Sequence, residues 1–372
     1  MRRRRLVRSL LSGTLAAVVV AASGHLAAQI APRVDVRFDE WPTMTRNIEP
    51  LGPAVAPDGG IWYVAREGNL VGRLDPATGK LQEFTSPIPN ADPRDVVVDA
   101  NGNVWYTAHD SGNIGRYDSK SRWTAAFSMP SPKATGPQGL ALDPRGVLWF
   151  TLESGGFVGR LDLKVRRVAL TPPLAEGVRP YGLALDAAGT PFFAEANASR
   201  IGRVDPATMT VREFPLADAA SRPRRVAVAP DGAVYYTDYA RGALGRLDPR
   251  TGQVSEHEAP GGAASKPDAI AIGADGAVWF VETGGTASQL VRYAPASGAM
   301  QTFAVPGGRV TGLAAGKGGQ LWLAAVNPGR ILRATVTRRS RSDQLRPADF
   351  RPRAATLGAA AASRCLKTDT QA

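Results

Sequence analysis

Only three histidines occur in the 372 residues, and one of them, His109, directly follows the apolar run in "VWYTAHD". An imidazole titrates near neutral pH and can serve as acid, base or ligand contact. Its companions are sparse: His25 lies in an apolar N-terminal leader and His257 ends a separate polar stretch, "QVSEH". A general base needs a positioned partner, and no GxSxG, HExxH or cysteine–histidine arrangement supplies one. The acids offer more. Glu195, Asp238, Asp268 and Glu282 fall at corresponding places in successive segments, close in pattern to Tyr181, Arg224 and Tyr239. Brought together, the four carboxylates could hold a divalent cation, magnesium or calcium, through oxygen ligands. With Arg94, Arg224 and the two tyrosines they could instead orient a small molecule or peptide through hydrogen bonds. A hydrated surface whose charges neutralise one another is the third possibility.

What places these residues at corresponding positions is an internal repeat. "IWYVA", "VWYTA", "LWFTL", "PFFAE", "VYYTD", "VWFVE" and "LWLAA" carry an aromatic at Trp62, Trp105, Trp149, Phe192, Tyr235, Trp279 and Trp322, spaced by 43 or 44 residues. A glycine stands three residues before each aromatic, and a proline twelve before it in six of the seven units, with Val310 in the last. Each glycine suits a hairpin turn that needs positive φ, and the alternating apolar residues suit half-buried strands. A third strand reads "VGRLD" or "IGRYD", and its aspartate opens turns such as "DPATG" by accepting backbone N–H bonds. A fourth strand follows, as in "KLQEF" and "TVREF". Four strands per unit, seven times over, is a seven-bladed β-propeller.

The seventh unit lacks a fourth strand, and residues 33–42, "RVDVRFDEWP", supply one from the other end of the chain. Closing the ring this way removes exposed sheet edges. The propeller spans residues 33–336. In such a ring the loops entering each first strand and leaving each second strand meet at one end of the central channel, so seven corresponding side chains gather there. The position after the recurring proline reads Leu51, Arg94, Gln138, Tyr181, Arg224, Asp268 and Thr311. Three residues past the aromatic, near the end of the second strand, come Ala65, Ala108, Leu152, Glu195, Asp238, Glu282 and Ala325; the next position reads Arg66, His109, Glu153, Ala196, Tyr239, Thr283 and Val326. Framework positions barely vary between units, whereas these vary widely, as positions released from packing do.

The formal charge of +12 is concentrated at the ends: five arginines and no acids in residues 1–28, eight basic and three acidic residues in 337–372. The body between is nearly neutral, which excludes a nucleic-acid surface. "MRRRRLVRS" followed by a short apolar run and "GHLAAQ" reads as a signal peptide over 1–28, so export to the periplasm or medium is expected, with no stable membrane span after cleavage. Residues 337–372 read as a disordered basic tail. Cys365 is the sole cysteine, so burial rather than an intrachain disulfide must hold the fold, and a monomer is expected.

The "PxG[IL]" and "WFTE"-like strands followed by "IGR" resemble the repeats of the virginiamycin B lyase family over about residues 33–336. The resemblance implies a seven-bladed propeller and a metal-assisted elimination that linearises a cyclic depsipeptide antibiotic at its ester bond. It also implies catalytic histidines after the recurring proline of the last two blades, positions held here by Asp268 and Thr311. The matching acids of the last blade correspond to Arg309 and, approximately, Val326. Asp268 would serve as a base only if desolvation raised its pKa from about 4. The elimination is therefore not expected to carry over. The sequence points to an exported propeller that binds a small molecule or peptide at its channel mouth, with Asp268 and His109 as the candidates for catalysis. Two alternatives stay open: a metal-dependent lactonase or esterase using Glu195, Asp238, Asp268 and Glu282, and a periplasmic protein-interaction scaffold with the basic tail as tether.

Overall fold

A computed structural model describes residues 33–339, so the expected signal peptide and nearly all of the expected tail, Cys365 included, lie outside the described residues. The chain forms seven four-stranded antiparallel sheets. Blade 1 comprises Pro50–Val55, Ile61–Ala65, Leu70–Leu74 and Leu81–Thr85, and the pattern repeats with strands in chain order through blade 6, from Pro267–Ile272 to Ala299–Ala304. Blade 7 holds Arg309–Ala315, Gln320–Val326 and Arg330–Arg338, and Val34–Pro42 completes it as the outer strand. The pairing is antiparallel from Val34 opposite Arg338 to Pro42 opposite Arg330. The ring closes as expected, and its last strand runs two residues past the expected boundary at 336.

The repeated residues each have a local task. All seven hairpin glycines, Gly59 to Gly319, take φ between 76° and 90°, a region costly for any residue with a Cβ. The aspartates after the third strand accept N–H bonds two residues on, Ala77 to Asp75 at 2.9 Å and likewise at Asp118, Asp162, Asp205 and Asp248. The glycine of each "GR" stands opposite a second-strand aromatic: Gly72 opposite Tyr63, Gly202 opposite Phe193, Gly245 opposite Tyr236. The ring lies over the glycine so closely that a Cβ there would collide with it. The arginine that follows covers the neighbouring large aromatic, with Arg73 over Trp62 at 6.0 Å and Arg160 over Trp149 at 5.9 Å. Dense packing between blades then forms the core, as where Trp279 and Leu290 of blade 6 meet Leu321 and Leu332 of blade 7.

Around the channel each first strand is bulged shortly after the recurring proline position, which turns that residue out of the regular pleat. Threonine hydroxyls tie one bulge to the next blade. Thr151 accepts from the Gly139 N–H at 2.8 Å and donates to the Tyr181 carbonyl at 2.6 Å. Thr237 does the same between the Arg225 N–H and the Asp268 carbonyl. In blade 7, where Ala324 replaces the threonine, the Thr311 hydroxyl is shared between the carbonyls of Pro50 and Ala324. Among the described residues no helix is long and apolar enough to cross a membrane.

Gly202→Ala should push Phe193 out of place and destabilise the protein by about 1–3 kcal/mol, the cost of overpacking a close-fitting core. A denaturant titration with an unchanged midpoint would show that the ring can move aside freely.

Candidate functional site at the channel mouth

Three columns of the repeat meet at one end of the channel. These are the residues on either side of the recurring proline and the residue just after the second strand. On the side of blades 2–5 they enclose a cavity of about 520 Å³ lined by Arg94, His109, Glu153, Arg179, Tyr181, Ala196, Asn197, Arg222, Arg224 and Tyr239. Arg224 lies over two rings, its Cζ 4.8 Å from the Tyr181 centroid and 4.6 Å from that of Tyr239, and donates to the Tyr181 hydroxyl at 3.1 Å. Arg94 is braced by Asp92, with Nε to Oδ2 at 2.8 Å. Arg179 donates to Glu153. Arg222 is anchored by neutral groups, its Nη1 donating to the carbonyls of Ala219 at 3.1 Å and Ser221 at 2.8 Å.

His109 stands between acids. Its Nε2 is 3.5 Å from Glu153 Oε2, and its Nδ1 is 2.7 Å from Asp110 Oδ1 and 3.8 Å from Asp92 Oδ2. The Glu153 carboxylate above all, with Asp110, raises the imidazole above its ordinary value although burial and Arg94 oppose this. Burial pushes the Glu153 carboxyl up, yet His109 and Arg179 together bring it below the usual range. The pair thus favours imidazolium beside carboxylate, a proton donor rather than a free base.

Deeper in the channel Arg225 and Asp95 replace the glycine found at the same place in blades 1, 3, 4 and 7. They line a further space of about 170 Å³ with Gly52, Gly182 and Gly312. Asp268 Oδ1 lies 3.2 Å from Arg224 Nε and 3.4 Å from Arg225 Nε. Asp95 accepts from the Leu140 N–H across the blade boundary at 3.1 Å, and burial raises its carboxyl despite the pull of Arg225. At the opposite end a separate cavity of about 480 Å³ lies between blades 2 and 3, but its acids are already satisfied, Asp99 by Trp105 Nε1 at 3.0 Å and by the N–H groups of Asn101 and Asn103, and Asp143 by Arg145.

Of the residues expected from sequence, the structure gathers Arg94, His109, Tyr181, Arg224 and Tyr239 at the cavity, with Asp268 against Arg224. It does not bring Glu195, Asp238 and Glu282 there. Successive side chains on a strand face opposite ways, and the last strand residue turns into the blade while the next one faces the mouth. Glu195 is fully buried and pairs with Arg200 Nε at 3.0 Å within its own hairpin. Asp238 accepts N–H bonds from Arg222, Ala240 and Arg241 at 3.0–3.2 Å. Glu282 accepts from the Gly261 N–H at 2.8 Å. These three organise loops. Glu153, Arg179, Arg222 and Asn197 also line the site, although the sequence reading did not select them. The column before the recurring proline (Glu49, Asp92, Gly136, Arg179, Arg222, Lys266 and Arg309) varies as widely as the others and carries the signal that would have found two of them.

The sequence profile of the virginiamycin B lyase family matches residues 27–161 and 146–363. The chain belongs to this family. A solved streptogramin B lyase shares 26% identity with it, covering 80% of this chain and 98% of that one at a TM-score of 0.73. Virginiamycin B lyase from Staphylococcus aureus is similar at 23% identity, covering 81% of this chain and 99% of that one at a TM-score of 0.74. So is a catalytically inactive histidine-to-alanine form of that enzyme solved with quinupristin, at 23% identity, the same coverage and a TM-score of 0.73. At 23% identity these two likenesses speak for the fold. No curated protein matches the chain in sequence.

For this virginiamycin B lyase family member a divalent cation was the expected cofactor. The quartet of Glu195, Asp238, Asp268 and Glu282 does not assemble. Among the described residues, the group of three donors within 4.8 Å of one another is Asp92, His109 and Asp110. Asp92, however, already receives Arg66 Nε on Oδ1 at 2.9 Å and Arg94 Nε on Oδ2 at 2.8 Å. A cation bound there would have to displace or face two guanidinium groups, so these donors fit arginine better than a metal.

His109 holds its proton more tightly folded than unfolded, so its contribution to stability is present below the unfolded pKa of about 6.5 and is lost as pH rises through the higher folded value. The melting temperature of the wild type should therefore fall more than that of His109→Gln between about pH 6 and pH 9; parallel profiles would rule out the coupling to Glu153. Glu195 behaves differently because burial first, and Glu213 second, push it up to about 7 against Arg200, from an ordinary value of 4.5. The folded state resists its ionisation, so stability falls as pH rises between those two values. Glu195→Gln should leave the melting temperature unchanged near pH 4 and raise it at about pH 8. A drop at the higher pH would mean that the Arg200 pair outweighs the burial cost.

Proposed function

We propose that this propeller binds a small molecule or the end of a peptide at the blade 2–5 side of its channel mouth, and does so without streptogramin elimination. The observation that supports the reading is the convergence of Arg94, His109, Glu153, Arg179, Tyr181, Arg222, Arg224 and Tyr239 on one cavity of about 520 Å³. That is the size of a site for a small ligand, and its polar groups come from four different blades. The positions that the family resemblance makes catalytic point the other way. Thr311 is occupied as a tie between blades 7 and 1, and Asp268 presents its oxygen to two arginines. Neither is an imidazole, the side chain that ordinarily takes a proton near neutral pH. The lactonase reading loses its metal ligands to loop anchoring, and the scaffold reading rests on a tail outside the described residues. Export to the periplasm or medium remains part of the proposal, on the leader sequence alone.

Quinupristin, the compound present with the inactive S. aureus enzyme, supplies the direct test. Incubated with the purified protein and magnesium, it should remain cyclic by reversed-phase chromatography. Ring-opened product that disappears with Asp268→Ala would overturn the proposal. In a thermal-shift screen of small molecules, ligands that stabilise the wild type should lose about tenfold in affinity on Tyr181→Ala or Tyr239→Ala, about 1.4 kcal/mol.

A further inference from the structure

What the cavity presents to a ligand is mostly guanidinium. Four arginines, Arg94, Arg179, Arg222 and Arg224, reach its wall against one carboxylate, Glu153. The compensating acids sit outside the lining, Asp92 against Arg94 and Asp268 against Arg224. The Arg222 guanidinium donates only to neutral groups, the Ser199 hydroxyl and the carbonyls of Ala219 and Ser221, and among the described residues it forms no ion pair. The rim repeats the bias: the residue before the recurring proline position is basic and exposed in blades 4 to 7 (Arg179, Arg222, Lys266 and Arg309), whereas blades 1 and 2 place Glu49 and Asp92 there. The mouth is polarised, and an anion approaching it is drawn toward blades 4 and 5.

Resting on the reading of this mouth as a binding pocket, we propose that its ligand carries a carboxylate, as a small organic acid or a peptide C-terminus, gripped by Arg222 and Arg224 with its apolar body against Tyr181 and Tyr239. A guanidinium set over two rings, with Nε toward Asp268 and Nη2 on the Tyr181 hydroxyl, has lost much of its freedom before the ligand arrives, so it offers its remaining donors at little further entropic cost. That geometry matches a planar carboxylate. Phosphate sites typically add backbone N–H groups from a helix N-terminus or a nest, whereas this wall is made of side chains from strand ends.

The test uses the full chain and three probes in calorimetric titrations at low salt: N-acetylphenylalanine, its uncharged amide, and inorganic phosphate. The acid should bind at least about tenfold more tightly than the amide, as a charge-assisted hydrogen bond implies, and more tightly than phosphate. Arg222→Gln and Arg224→Lys should each weaken the acid about tenfold, the lysine keeping the charge but losing the fork. Lys80→Gln, exposed and remote in blade 1, should change nothing. Arg222 is exposed and Arg224→Lys conserves charge, so both variants can be checked for an unaltered melting curve. If acid and amide bind equally and Tyr181→Ala abolishes both, the pocket stands and the carboxylate inference fails. Phosphate binding more tightly than the acid also overturns it, as does an equal loss with Lys80→Gln. If no probe binds, the inference falls, and if a neutral hit from the thermal-shift screen is also insensitive to Tyr181→Ala, the pocket reading falls with it.

Discussion

The two ends of the propeller are joined by backbone hydrogen bonds between Val34–Pro42 and Arg330–Arg338, and every statement about the channel depends on that join. A row of blades without it would present unpaired strand edges and could open like a fan. With it, the position of each blade is fixed by both neighbours. The join is reinforced where Trp41 packs on Trp322 at 5.7 Å and Arg333 covers both rings. Closure thus turns seven weakly informative local patterns into one small area where unlike side chains must meet.

Closure alone would not leave those side chains free for a ligand. The framework does so by meeting its own polar demands locally. Hairpin glycines accept the turn, aspartates cap the next turn, and threonine hydroxyls tie bulge to bulge around the channel. Buried polar groups that are satisfied in this way release the mouth positions from any structural duty. The exceptions are instructive. Asp95 and Arg225 stand where glycine is common, and they bring charge to a channel that glycine would leave bare.

The repeat of 43 or 44 residues made the blade number and the closing strand readable, because hairpin and packing chemistry recur in fixed register. The site was readable only in part. The sequence showed which columns vary, but variation does not say which way a side chain points. Glu195, Asp238 and Glu282 vary because each blade anchors its own loop differently, whereas His109, Glu153 and Tyr239, one residue further on, vary because they face the cavity. A single step along a strand separates the two cases. Residues on both sides of the proline, Arg179 and Tyr181 for instance, are two apart and so share a face, and both reach the cavity.

A ring of near-equivalent blades also bears on how kinship and chemistry relate. Any sector of the mouth can be specialised without disturbing the fold, because every sector is built on the same framework. In this chain the cavity lies over blades 2 to 5, and blades 6 and 7 complete the rest of the mouth. The two sectors are not independent. Asp268 of blade 6 faces Arg224 and Arg225 of blade 5, and Arg224 in turn lies over Tyr181 and Tyr239. An imidazole at position 268 would leave the two arginines without that carboxylate and set like charges together whenever it was protonated. The carboxylate at 268 thus balances the arginine wall from the neighbouring sector.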